Sequence, residues 1–424
     1  MPCSIDKCTG CGACANICPV DCIQMQKDGM GFYVPHKNEK CIDCGLCDRV
    51  CPIINPGVEL DGRIKPKLYA VEHKKIDVKK MSASGGAFIL LADYIIEKGG
   101  VVWGTTFDSD FLLKYQCAET KEEVRKFCGS KYLQGVTGDS FQKVKKQLED
   151  GKTVLFCGIP CQILGLQKYL ENVDRTNLYT VDIVCGGGAS EKVFFEYKEE
   201  MEKELGKIIS INQTAKYEPW APLIFKNLLI KKADGTEVKK SSANDAYLTG
   251  YFNGNLLRRS CTECPGASLP RCADITIGDF FGLGAIRKYK FHDEWGVSML
   301  MVNTEHGEHL FNACKENSWY EERRFEEILP YNEAIWRPAR RDYTKAEMFY
   351  KDLEHLTFEE IQKKYLESSS KVKKQRKVKE ILKKILGYNN VARGIYCVKL
   401  LNGTVRKSIN AYKKMEDVID GEDK

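Results

Sequence analysis

The runs Cys8-Thr9-Gly10-Cys11-Gly12-Ala13-Cys14-Ala15-Asn16-Ile17-Cys18-Pro19 and Cys41-Ile42-Asp43-Cys44-Gly45-Leu46-Cys47-Asp48-Arg49-Val50-Cys51-Pro52 spell CxxCxxCxxxCP twice. A loop this short wraps three thiolates around one iron–sulfur cube but cannot fold back far enough to supply a fourth, so the fourth cysteine serves the neighbouring cube. The spacing therefore assigns Cys8, Cys11, Cys14 and Cys51 to one [4Fe-4S] cluster, and Cys41, Cys44, Cys47 and Cys18 to a second. Pro19 and Pro52 turn the chain away after the last ligand and offer no amide donor there. A disulfide framework or paired zinc knuckles fit poorly, because zinc sites rarely take three cysteines at this spacing twice over.

The doubled run is the ligand pattern of a two-cluster bacterial ferredoxin, and residues 1–56 are assigned to such a domain. The whole chain has 424 residues, enough for two or three domains. Met1 to Gly12 shows no charged segment followed by an apolar one, so no secretory leader is expected. The longest apolar stretches, such as Phe88 to Ile96 with Asp93 inside it, are too short to span a bilayer. Twenty cysteines in such a chain point to a reducing cytoplasm and to metal or redox duty. The expectation is a cytoplasmic protein, at most peripheral to a membrane.

Charge is unevenly spread. Lys371 to Lys414 holds fourteen Lys and Arg against one acid, Glu380, while the rest of the chain sums to −7. Val378, Ile381, Leu382, Ile385 and Leu386 recur there at helical spacing, with Lys377, Lys379, Lys383 and Lys384 between them. Two readings stand for this basic amphipathic helix: contact with an anionic membrane surface, or a stripe packed on the body. Tyr388, Tyr396 and Tyr412 accompany the basic run, but no nucleic-acid-binding motif does, so a nucleic-acid partner is not expected.

Between the ends, the pattern is α/β. A connector from Asn55 to Pro66 leads to a strand at Lys67 to Glu72 and an apolar helix through Ile96. Then come a strand at VVWGTTF, a helix from Thr120 with Glu123 completing a capping box, a helix at Ser140 to Leu148, and a strand at TVLFCG. A helix at Gln162 to Leu170, a strand at TVDIVCGG and a helix at Ser190 to Leu205 follow. Leu228 to Val238 reads as a hairpin turning at Asp234-Gly235, and strands at Ile275 to Gly278 and Ser298 to Asn303 complete the set. Alternation of this kind predicts a mixed, largely parallel sheet with helices on its faces. The expected division is a ferredoxin domain over 1–56, an α/β catalytic domain over 67–345, and a helical basic tail over 346–424.

Seven words carry the chemistry of the middle domain: SGGAF (Ser84 to Phe88), GSKY (Gly129 to Tyr132), GIPCQ (Gly158 to Gln162), DIVCGG (Asp182 to Gly187), CTEC (Cys261 to Cys264), DITIGDFFG (Asp274 to Gly282) and GVS (Gly296 to Ser298). In this order and spacing they resemble the β-subunit family of coenzyme F420 hydrogenases and dehydrogenases, in the bacterial form with an N-terminal two-cluster ferredoxin. The resemblance runs from Cys8 to about Asn303 and leaves the basic tail outside. It implies FAD, a third [4Fe-4S] cluster, a site for coenzyme F420 or a similar hydride carrier, and cofactor contacts at Ser84, Gly85, Gly86, Lys131, Gly158 and Asp279.

The residues themselves support part of this. Cys161 and Cys185 follow predicted strand ends, the edge where open α/β sheets place ligands, and Cys261 and Cys264 form a CxxC before another strand. These four are the favoured ligands of the third cluster, with Cys272 or Cys157 as alternatives for the fourth place and zinc as the alternative occupant. Cys117, Cys128, Cys314 and Cys397 read as small buried apolar residues. Gly85-Gly86 before an apolar helix suits a phosphate, although no GxGxxG follows a strand. Ser84 adds a hydroxyl and Lys131 a point charge; Asp279 contacts the cofactor or caps a helix.

Iron–sulfur cubes pass single electrons whereas hydride carriers exchange two, and a flavin does both. Three functions remain open on these grounds: an F420-dependent flavin oxidoreductase, a reductase of another substrate, for instance in polysaccharide assembly, that draws electrons from a ferredoxin, and a non-catalytic electron-transfer subunit. Each needs a redox protein partner, either a ferredoxin or an oxidoreductase subunit. No Ser/His/Asp, paired-carboxylate or HExxH arrangement stands out, so the catalytic residues are not assigned.

Overall fold

The computed structural model describes residues 2–57, 60–217, 227–242, 245–338, 343–367, 374, 378, 381–382 and 385–420. Lys377, Lys379, Lys383 and Lys384 of the basic stretch lie outside these residues. The N-terminal module carries one antiparallel hairpin, β1 (Ile23–Lys27) with β2 (Tyr33–Lys37), placed between the two cysteine runs. Each run turns through a left-handed glycine, Gly12 at φ 78° and Gly45 at φ 73°, a conformation a side chain would resist.

The main sheet is built from β3 (Arg63–His73), β4 (Val101–Phe107), β5 (Leu113–Ala118), β6 (Val154–Gly158) and β7 (Leu178–Ile183). A separate antiparallel sheet of three strands follows, β8 (Ile208–Ala215), β9 (Asn227–Lys232) and β10 (Glu237–Ser241), and contains the hairpin expected at Asp234-Gly235. The chain then returns to the main sheet with β11 (Ile275–Asp279), β12 (Ser298–Thr304) and β13 (Ser318–Glu322). The order across the main sheet is β13-β3-β12-β11-β7-β6-β4-β5. Its centre, β11-β7-β6-β4, is parallel, and the strands beyond it on both sides run antiparallel.

β6 shows why the centre of this sheet is covered on both faces. Val154 and Phe156 point into a core shared with Phe141, Ile163 and Leu166, while Leu155 points into another shared with Ile89, Val181 and Ile275. The period of two sends alternate side chains to opposite layers, and a strand buried on both faces is apolar throughout. Helix α1 (Ala87–Glu97) covers one face and α2 (Pro160–Tyr169) the other. The predicted capping box is present, with Thr120 accepting from the Glu123 amide at 3.3 Å.

The tail divides in two. Helices α3 (Tyr388–Leu401) and α4 (Thr404–Asp420) pack on the body, with the Tyr412 ring stacked on Phe325 at 4.3 Å. The preceding stripe behaves otherwise: Val378, Ile381, Leu382, Ile385 and Leu386 are all exposed, Ile385 at 71%. Among the described residues no helix is long and apolar enough to cross a membrane.

Candidate functional site

The carboxyl ends of β6, β7 and β11 open on one cavity of about 840 Å³. Its size lies toward the upper end for ligand pockets, and its place is the edge where parallel sheets bind ligands. Ser84, Gly86, Lys131, Gly158 and Asp279 all line it, so four separate sequence words meet there. Gly86 is left-handed at φ 93° and caps α1, whose first residues also face the cavity.

Two of these side chains are already engaged. Ser84 Oγ donates to the Val297 carbonyl at 2.7 Å, fixing the loop before α1 to the start of β12. Lys131 Nζ donates to the carbonyls of Phe127 at 2.8 Å and Cys128 at 3.0 Å, with Lys126 further off at 3.4 Å. Its charge sits at the wall, and burial draws its pKa down to about 8. Gly85 stands apart from the cavity. A Cβ there would lie 2.2 Å from the Val71 carbonyl and 2.5 Å from the Ser298 amide, so the glycine serves close packing of backbones.

A smaller cavity shares the wall formed by Cys185 and Gly186 to Gly188, and is lined by Cys161, Cys185, Cys261 and Cys264. The Gly187 amide points at Cys185 Sγ at 3.4 Å and the Gly188 amide at Cys261 Sγ at 3.2 Å. Burial, then the other three thiols, pushes Cys161 well above the ordinary thiol range, and burial and Cys261 raise Cys185 to about 12. The two alternative ligands lie elsewhere. Cys272 is buried against the Pro160 carbonyl and Asp182, and Cys157 faces the large cavity. Among the described residues no group of three or more His, Cys, Asp or Glu converges on a point suited to a single metal ion.

Arg271 braces this region from beneath. It is fully buried, pairs with Asp182, and donates to the carbonyls of Gly266 at 2.8 Å and Ile335 at 3.2 Å.

The N-terminal module docks beside the thiol-lined cavity. Ser260 Oγ and the Arg258 guanidinium both donate to the Cys8 carbonyl, at 2.9 and 3.1 Å, and Gln134 Nε2 donates to the Thr9 carbonyl at 2.8 Å. Cys8, Cys11, Cys14, Cys18 and Cys51 are buried, Cys41 and Cys47 are half-buried, and Cys44 is exposed. One assigned set is therefore buried throughout, whereas in the other only Cys18 is buried and Cys41, Cys44 and Cys47 lie toward the surface. Cys22, not singled out by its spacing, lies with its sulfur 3.3 Å from Cys18 Sγ.

Several lining residues carry no local signal in sequence: Tyr115, Gln134, Tyr331, Asn332, Glu333 and Lys399. Of the cysteines read as buried apolar residues, Cys314 is buried and Cys117 half-buried. Cys128 instead lines the cavity, and Cys397 is exposed because it lies on the outer side of α3.

A doubled cysteine run docked on an α/β sheet, with four more thiols at the sheet's ligand edge, defines an iron–sulfur protein of the ferredoxin-fused class. Residues 7–53 match the 4Fe-4S dicluster domain, and residues 151–328 match the family described as the C terminus of the coenzyme F420 hydrogenase/dehydrogenase beta subunit. Over residues 151–328 the chain is therefore similar to that β-subunit family, and it carries the dicluster-domain match at its N-terminus. Among solved structures it is similar to a chain of the F420-reducing [NiFe] hydrogenase complex from Methanosarcina barkeri, at 17% identity, covering 70% of this chain and 92% of that one, with a TM-score of 0.44. No curated protein sequence matches it.

Proposed function

We propose that the chain is an iron–sulfur flavoprotein oxidoreductase that moves electrons between a hydride carrier of the coenzyme F420 type and a redox protein partner, with FAD in the large cavity and three [4Fe-4S] clusters. The observation that carries this reading is the shared wall: Cys185 and Gly186 to Gly188 line both the large cavity and the four-thiol cavity. A bound flavin exchanges two electrons with a hydride carrier and single electrons with iron–sulfur centres.

The chain's own residues fit these groups. Cys161, Cys185, Cys261 and Cys264 would hold the third cluster, and two backbone N–H groups already aim at their sulfurs, the kind of contact that tunes a cluster's potential. Thiols standing around a void suit a cube better than a lone zinc. Gly86 and the amino end of α1 would face the flavin's phosphates, Lys131 would add positive charge at the wall, and Gly158 and Asp279 would line the floor. The dicluster domain would carry electrons onward, with its Cys41, Cys44 and Cys47 end toward the partner.

The exposed stripe from Val378 to Leu386 favours, in addition, contact of the tail with an anionic membrane surface.

Anaerobic purification with iron and acid-extracted flavin quantified tests the main reading. About twelve irons and one FAD per chain, bleached by reduced F420, is the expected result. A flavin-free chain would reduce the proposal to an electron-transfer subunit.

A further inference from the structure

Three arginines are buried among the described residues: Arg258, Arg271 and Arg323. Two of them face carboxylates, Arg271 with Asp182 and Arg323 with Glu321 and Glu327. Arg258 is only 4% exposed and pairs with no acid among the described residues. A buried guanidinium without an opposing charge is costly, so its neutral surroundings need an explanation. The head group donates to the Cys8 carbonyl at 3.1 Å and to the Tyr33 carbonyl, and lies 5.1 Å from the centre of the Phe32 ring. Gly10 opens the place for it: its φ of 67° is left-handed, and a Cβ there would lie 2.3 Å from Arg258 Nη1. At the other end, the Arg258 amide donates to the Gly188 carbonyl at 3.0 Å, and its carbonyl accepts from the Cys261 amide at 3.1 Å. One side chain thus reaches from the loop of the middle-domain thiols into the first cysteine run, against the turn between Cys8 and Cys11.

The residues beside it supply the missing charge once they hold iron. Four thiolates around an iron–sulfur cube leave a net negative charge, and that charge grows when an electron is added. Cys8, Cys11, Cys14 and Cys51 are all buried, so solvent screens little of the attraction between such a group and a fixed cation. A cation held there favours the more negative, reduced state and raises the reduction potential. We propose that Arg258 is the fixed counter-charge of the cluster held by Cys8, Cys11, Cys14 and Cys51, and that it draws electrons into the N-terminal module by raising that cluster's potential. This rests on the reading of the chain as a three-cluster electron carrier with that ligand set.

The test is an anaerobic redox titration of the full-length reconstituted holoprotein, followed by electron paramagnetic resonance, with iron quantified for each variant. Arg258→Met removes the charge, Arg258→Lys keeps it, and Ser260→Ala removes the other side-chain donor to the Cys8 carbonyl without changing charge. Arg258→Met is expected to lower the midpoint of one cluster, so that its reduced-to-oxidised ratio at a fixed potential falls about tenfold, about 59 mV for one electron. Arg258→Lys and Ser260→Ala should keep that midpoint near the wild-type value. Cys161→Ser and Cys44→Ser backgrounds, which remove the third and the outer cluster, identify the signal that moves. An unmoved midpoint in Arg258→Met overturns the inference, as does an equal shift of all three clusters. So does a shift as large in Arg258→Lys or Ser260→Ala, which would make the side chain a brace and not a charge. If Arg258→Met fails to load the inner cluster while Arg258→Lys loads it, the need for a counter-charge is upheld; if neither loads, the inference falls. A wild-type chain that binds no cluster at the Cys8 set overturns the functional reading itself.

Discussion

Cys11 meets the body of the protein at Gly165, in the middle of α2, where a Cβ would lie 3.1 Å from the cysteine's Sγ and 3.0 Å from its Cβ. The missing side chain lets a proposed cluster ligand approach a helix whose second residue, Cys161, is assigned to another cluster. Gly165→Val should therefore push the N-terminal module outward, at a cost of about 1–3 kcal/mol for overpacking. Iron content should hold while electron transfer from the flavin to the N-terminal clusters slows at least tenfold, as rapid-mixing absorbance would show. An unchanged rate would mean that the two modules do not communicate through this contact.

The ligand assignment makes a sharper demand. Cys161→Ser or Cys261→Ser should remove about four irons and spare the N-terminal pair, which draws no ligand from the middle domain. Cys272→Ser and Cys157→Ser should keep full iron, since one thiol is packed beside Asp182 and the other faces the large cavity. Iron loss in the Cys272 variant would return it to the ligand set.

Arg271 and Asp182 form a fully buried pair, so removing one partner strands the other's charge. Arg271→Met is expected to lower the unfolding free energy by about 3–5 kcal/mol, read from urea denaturation. Lysine should rescue poorly, because it lacks the fork that serves Asp182 and the Gly266 and Ile335 carbonyls together.

Lys131 gives a pH signature. Its pKa falls to about 8 in the folded chain from an ordinary 10.5, so burial of its charge weighs on the fold below pH 8. Between these values the unfolded chain holds a proton that the folded one has released, and stability rises with pH. The wild type should thus gain on Lys131→Met between about pH 8 and 10. A difference that stays flat over that range would show that the amine is not depressed.

For the tail, substitution is more telling than truncation. Ending the chain at Ser370 would remove Lys399, which lines the cavity, along with the basic stretch. Ile381, Leu382 and Ile385 are exposed, so changing all three to Ser should leave the melting temperature alone. It should abolish co-sedimentation with anionic vesicles at low salt, binding that 1 M salt also releases by shortening the screening length to about 3 Å. A chain that never sediments with anionic vesicles has no such affinity.

What could be read in advance depended on how far apart the cooperating residues lie. The dicluster domain was legible because its doubled cysteine run is a purely local pattern. The four thiols that line the smaller cavity were legible only in part: strand ends brought out Cys161 and Cys185, whereas the place of Cys272 against the Pro160 carbonyl, outside that cavity, comes from packing. Gly85 and Gly86 look alike in sequence, and only the backbones crossing at Gly85 tell packing from cavity. The parallel centre followed from alternating apolar segments, whereas β5 and β13, antiparallel edges that expose Lys114 and Gln116 or Trp319 and Tyr320, carried a weaker pattern. On the tail the packed reading failed for the stripe it concerned, since Val378, Ile381, Leu382, Ile385 and Leu386 are exposed, while the helices α3 and α4 beyond it pack on the body. Lys399 had no local mark at all, since its place at the cavity comes from where α3 is pinned.

The gradient from buried Cys11 to exposed Cys44 also sets how the protein ages in air. Dioxygen and peroxide would reach the exposed thiols first, so on the proposed reading damage would begin at the end assigned to the partner and work inward. On that reading a preparation exposed briefly to air would lose its outward connection first, and would still exchange hydride at the cavity after it had ceased to pass electrons on.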